Sequence, residues 1–64
     1  MMLQINDSGS WRNVIRFNPA DAGKVEEHAG CLAVCGQPTG LRIVDDGIVV
    51  SYCMKADNYV WELA

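Results

Sequence analysis

The chain is short of positive charge, has a single histidine, and lacks the motifs that usually announce chemistry. Five Lys and Arg face eight Asp and Glu, for a net charge of −3. A general nucleic-acid binder needs a surplus of cations to displace counterions from phosphate, so direct binding to DNA or RNA is not expected. An acidic balance fits a basic protein partner, and simple solubility explains it equally well. No apolar run approaches about 18 residues, so no membrane span is expected. Met1 to Ser10 has neither a basic region nor an apolar core, which predicts no secretory signal. The three cysteines, Cys31, Cys35 and Cys53, are an odd number. They read as free thiols in a reducing compartment, hence a cytoplasmic location.

Catalytic patterns are missing too. There is no glycine-rich phosphate loop, no nucleophile elbow and no HExxH. Glu26-Glu27 and Asp45-Asp46 are pairs of sequence neighbours. On a helix such neighbours point about 100° apart, and in a hairpin they straddle the turn, so neither pair converges as an acid–base couple. His28, Cys31 and Cys35 fall at i, i+3 and i+7, and with Cys53 they compose a Cys₃His set that would staple so small a chain. Structural zinc ligands, however, come from tight knuckles, and Cys53 reads onto the sheet face away from the helix. The expectation is therefore no metal and no cofactor. Cys35 borders the core, Cys31 lies on the flank, and His28 is an edge residue. A Cys–His nucleophile pair lacks an orienting group and oxyanion donors, so the chain is not expected to be an enzyme.

Sixty-four residues, half hydrophobic and a fifth charged, make one folded domain over 1–64. A chain this short buries only about 60% of its unfolded surface and is marginally stable. Its organising stretch is Leu41 to Met54, turned at Asp46-Gly47. Asp-Gly between alternating apolar runs predicts a two-residue type I′ hairpin. That register sets Ile43 opposite Val50 and Leu41 opposite Tyr52. One face then carries Leu41, Ile43, Ile48, Val50, Tyr52 and Met54, and the other carries Arg42, Val44, Val49, Ser51, Cys53 and Lys55.

Upstream, Met2 to Ile5 and Trp11 to Phe17 read as strands joined at Asp7-Ser8-Gly9, with Ile5 opposite Trp11. Asn18 caps a helix, Pro19 opens it and Asp21 meets the positive end of its dipole. Its apolar face is Ala22, Val25, Ala29 and Leu32, while Gly23 and Gly30 fall outward with Glu27 and Val34. It ends near Cys35, with Gly36 and Pro38 as stop signals. The alternative is an end at Ala29 with Gly30 as its cap. Lys55 to Asn58 turns the chain into a last strand, Tyr59 to Leu63, with Tyr52 opposite Trp61. The predicted fold is α+β: an antiparallel sheet of four to five strands with one helix packed on one face, in the order β-β-α-β-β-β. Its core comprises Leu3, Ile5, Trp11, Ile15, Phe17, the apolar helix face, the first hairpin face, and Tyr59, Trp61 and Leu63.

The second sheet face collects Arg12, Arg16 and Arg42 among Val14, Val44, Val49, Val60 and Glu62. Arg among apolar residues is the composition of a docking surface. One helix leaves part of the core wall uncovered, which favours a partner chain or a homodimer. In size, acidity and lack of chemical residues the chain resembles the small inhibitors that phages encode against bacterial defences, the anti-CRISPR proteins. That resemblance implies a stoichiometric blocker, acting in the host cytoplasm, that lays acids into the basic nucleic-acid channel of an effector complex. Glu26, Glu27, Asp45, Asp46 and Asp57 are the acids expected to compete for its Arg and Lys. The alternative is a small nucleic-acid-binding or homodimerising domain using Arg12, Arg16 and Arg42.

Overall fold

All five strands pair antiparallel, and one helix lies across a single face. The computed structural model describes residues 1–64. It comprises β1 (Met2–Asn6), β2 (Trp11–Arg16), a 3-10 turn (Pro19–Asp21), α1 (Ala22–Gly36), β3 (Gly40–Asp45), β4 (Ile48–Met54), a second 3-10 turn (Lys55–Asp57) and β5 (Trp61–Leu63). The strand order is β2-β1-β3-β4-β5. The architecture is thus the α+β arrangement expected, β-β-α-β-β-β, with all five strands in one sheet. No helix is long and apolar enough to cross a membrane.

The helix starts as the sequence predicts. Asn18 is extended, and its Oδ1 accepts the Ala20 N–H at 3.0 Å, with Pro19 at the first helical position. The end differs. The helix runs through Gly30 and takes in Gly36, which excludes a stop at Ala29. Gln37, not a glycine, adopts the left-handed cap at φ 56°. Its amide N–H reaches the Ala33 carbonyl at 2.7 Å, and its side chain donates to the Val34 carbonyl at 2.8 Å. Those two bonds satisfy carbonyls that the helix end leaves free.

The hairpin turn is the type I′ pair expected, with Asp46 at φ 52° and Gly47 at φ 80°. Asp45 opposes Ile48 and Val44 opposes Val49. Beyond that point a β-bulge leaves Val50 unopposed, and Ile43 meets Ser51 rather than Val50. One extra residue exchanges the faces of everything after it. Ser51 and Cys53 therefore lie under the helix, 3% and 0% exposed. Tyr52 and Met54, expected in the core wall, lie on the open face.

The same physics corrects the outer strands. Four residues, Asp7 to Ser10, join β1 to β2, so Trp11 opposes Asn6 instead of Ile5 and faces away from the helix. A second bulge, at Val14, takes the residue back: Leu3 opposes Ile15, as its expected place beside the core requires. Between β4 and β5, Asn58 and Tyr59 both take left-handed backbone, and Trp61 opposes Cys53, not Tyr52. Trp61 still reaches the helix side, because two one-residue slips cancel.

The core is small: Leu3, Ala29, Ala33, Leu41, Ile43 and Cys53, flanked by Met1, Ile5, Phe17, Val25, Tyr59 and Trp61. The helix contributes two alanines, so it lies close to the sheet. Leu32, expected inside, is 73% exposed. Ile15, Ile48 and Leu63 are also more than half exposed. One helix covers about 10 Å of a five-strand sheet about 20 Å wide. Gly30 is not outward: a Cβ there would meet Trp61 Nε1 at 3.3 Å, whereas one on Gly23 meets nothing within 4 Å. Gly23→Ala is therefore expected to stabilise by up to about 1 kcal/mol, which for a domain this size raises Tm by roughly 4–8 °C per kcal/mol. Gly30→Ala gains little, because the methyl displaces the indole. Equal gains in thermal unfolding for both variants would show that Gly30 faces solvent.

Candidate interaction surface

Slippage at the hairpins puts a polar and aromatic row on the face without a helix. Asn13 opposes Gln4, Gln4 opposes Arg42, Arg42 opposes Tyr52, and Tyr52 opposes Glu62. The row crosses all five strands at one level. Gln4 Nε2 donates to Asn13 Oδ1 at 2.9 Å, and Arg42 Nε donates to Gln4 Oε1 at 2.7 Å. The Tyr52 hydroxyl donates to Glu62 Oε2 at 3.2 Å. Arg42 also stacks on Trp11, its guanidinium carbon 4.1 Å from the ring centroid. Such a stack contributes about 0.5–1 kcal/mol at an exposed site. The hydrogen bond to Glu62, and then that carboxylate's charge, raise the Tyr52 hydroxyl above its ordinary pKa of 10.0. Tyr52 therefore stays a neutral donor through the physiological range. Its contribution to folding is complete below pH 10 and fades as pH rises through the shifted value.

At the hairpin-tip end of this face lies an open depression of about 480 Å³. Gln4, Asn13, Arg16, Val44, Asp45 and Asp46 line it. Asp45 and Asp46 are exposed there, with Arg16 on the same depression. The remaining acids are scattered. Asp57 sits in the second 3-10 turn, at the other end of β4, and a strand of that length spans about 20 Å. Glu27 is exposed on α1. Glu26 is half-buried against the sheet: Ser51 Oγ donates to its Oε2 at 3.0 Å, and Trp61 Nε1 donates to its carbonyl at 2.7 Å. Of the five acids, only Asp45 and Asp46 come together.

The three-arginine face becomes a two-arginine face. Arg16 opposes Met2 and shares the open side with Arg42, but Arg12 opposes Ile5, which packs on the core, so it projects on the helix side. Val14 moves with it, into an apolar groove of about 250 Å³ with Leu3, Ile5, Leu32, Ala33 and Leu41. No family model, curated protein or solved structure matches this chain.

The thiols also redistribute. Cys31 and Cys35 are exposed on α1, and His28 is exposed on the same helix. Cys35 thus does not border the core. Cys53, expected on the face away from the helix, is buried beneath it. Burial first, and then the Glu26 carboxylate, push its thiol above the ordinary 9.0. No three or more His, Cys, Asp or Glu side chains converge in a geometry that holds a metal ion.

Sequence reasoning found Arg42, Asp45 and Asp46 but missed the row that links Arg42 to Trp11, Gln4 and Tyr52. One sign was present in the sequence. Gln4 and Arg42 are each flanked by large apolar residues, Leu3 and Ile5 or Leu41 and Ile43, which is the alternation of a strand with a polar outer side. What was lacking was the pairing that sets them side by side.

Proposed function

We propose that this chain is a small acidic, non-enzymatic protein-interaction module that docks through its open sheet face and the adjoining hairpin tip. The observation that supports this reading is the Trp11–Arg42–Tyr52 centre held in place by Gln4 and Glu62. Aromatic residues and arginine, ordered before contact and ringed by polar groups, are the makings of an interface hot spot. Asp45 and Asp46 stand at its margin, where exposed charge governs the rate and partner choice of association. The likeness to small phage inhibitors supplies the most concrete form: a blocker of a host defence complex that engages the basic surface on which that complex holds nucleic acid. Asp45 and Asp46 make the acidic contact; Glu27 on the helix and Asp57 at the far turn lie away from it, and Glu26 holds the helix to the sheet.

The test is binding to a purified CRISPR effector complex, with displacement of its target DNA as a second readout. Reversing both tip charges, Asp45→Lys with Asp46→Lys, is expected to weaken binding about 10- to 100-fold at low salt. The difference should shrink as added salt screens the charges. Unchanged affinity removes the mimicry of nucleic acid.

A second reading has one specific observation behind it. Trp11, Arg42 and Tyr52 share a sheet face, as in platforms on which successive bases stack. The net charge of −3 weighs against it. Failure to retain a labelled single-stranded oligonucleotide at low salt disposes of it.

A further inference from the structure

Arg42 is the most constrained cation of the chain and carries an unused binding capacity. Its Nε–H is engaged by Gln4 Oε1 at 2.7 Å, and its plane lies on Trp11 at 4.1 Å. Gln4 is fixed in turn by its bond to Asn13 at 2.9 Å. An arginine side chain carries about 2 kcal/mol of rotamer entropy, and here much of that freedom is already lost. Both protein groups that hold it are neutral. The guanidinium's two terminal nitrogens make no hydrogen bond within the chain. The nearest acid in the row, Glu62, is engaged by Tyr52. Arg42 is also half-buried in the middle strand of the sheet. It is thus a fixed, partly desolvated cation on the open face whose two terminal nitrogens are left without a partner.

We infer that Arg42 anchors a carboxylate presented by the partner protein, taken by the two terminal nitrogens at the centre of the open face. A rigid guanidinium fork matches a carboxylate with two parallel bonds, and ordering it in advance removes part of the cost of association. A phosphate would fit the same fork, but Glu62 in the row and Asp45 and Asp46 at the margin repel a polyanion. A single partner Asp or Glu set among neutral or basic residues meets both signs at once. This inference rests on reading the open face as a protein interface, though not on the hairpin acids.

The probe is a blocked octapeptide with one central glutamate among neutral and basic residues, titrated at constant ionic strength while the Arg42 Nε–Hε resonance and Trp11 fluorescence are followed. Saturable shifts centred on Arg42 and Trp11 are expected at millimolar peptide. Arg42→Lys, which keeps the charge and loses the fork, is expected to weaken binding about tenfold. Gln4→Ala leaves Arg42 intact and frees it to move, so it should weaken binding less than Arg42→Lys but measurably. Lys24→Arg, at an exposed position on the helix away from this face, should change nothing. The circular dichroism melt of each variant shows that it is folded, and Gln4→Ala keeps the test open if Arg42→Lys is not. No saturable shift up to about 10 mM, or equal binding by both Arg42→Lys and Gln4→Ala, overturns the anchor. Tighter binding of an oligothymidine than of the peptide at matched ionic strength overturns it in favour of phosphate. Loss of effector binding in the Asp45/Asp46 reversal does not bear on Arg42, so the two ideas fail separately.

Discussion

Ile43→Ala is expected to leave the chain largely unfolded at room temperature. Ile43 is 1% exposed, on the middle strand, with Leu3 and Ser51 as its cross-strand neighbours. Truncating a buried isoleucine costs about 2–5 kcal/mol. A single core in a chain this short rarely supplies more than about 3–5 kcal/mol. With only six buried hydrophobic residues, no second cluster makes up the loss. Far-UV circular dichroism should show the cooperative melt lost or moved below room temperature. Ile43→Val removes one methylene and should cost about 0.5–1.5 kcal/mol, leaving a folded protein with a lower Tm. Ile48, 71% exposed, provides the contrast: its replacement by alanine should stay within about 0.5 kcal/mol of the parent. A cooperative melt for Ile43→Ala within a few degrees of the parent would place the core elsewhere than on β3.

The three thiols should separate into two fast and one slow. Cys31 and Cys35 are exposed on the helix and are expected to react with an aromatic disulfide at the rate of free thiols. Cys53, fully buried between sheet and helix, should react only through molecules that have opened. For a stability of about 3–5 kcal/mol, the open fraction slows it by roughly a hundredfold to a few thousandfold. Urea should bring all three to one rate. The pH dependence follows from the direction of the Cys53 shift. Its folded pKa is raised above 9.0 by burial and by Glu26. The stability it contributes is therefore complete below pH 9.0 and is lost as pH rises through the folded value. Protection of Cys53 should weaken in that alkaline range beyond the ordinary gain in thiolate. Three equal rates under native conditions would mean that β4 has no bulge and that Cys53 lies on the open face.

The Cys53 result depends on one feature that strand-by-strand reading does not reveal. The Asp46-Gly47 turn was legible because its chemistry is local: two adjacent residues must take left-handed backbone, and those two can. The Asn18-Pro19 helix start was legible for the same reason. Val50 and Val14 are different. Nothing in a valine marks it as the unopposed residue of a bulge. Whether it is unopposed depends on which neighbour suits the helix above. Ser51 under the helix finds Glu26, and Tyr52 on the open side finds Glu62. In the alternative register a tyrosine would need room beneath a helix packed closely through Ala29 and Ala33. Leu32 was misplaced because helical spacing alone does not say which edge of an apolar stripe meets the sheet.

The amino-acid order determined the kind and sequence of the elements, the Asp46-Gly47 turn and the exposed acids at the tip. Each follows from backbone preferences and from periodicity within a few neighbours. Only the tertiary structure decided that Trp11 and Tyr52 join Arg42 on the open side and that Cys53 lies beneath the helix. A strand alternates every residue, so one extra residue in a loop or bulge exchanges inside for outside, and that choice is made by packing between segments far apart in the chain.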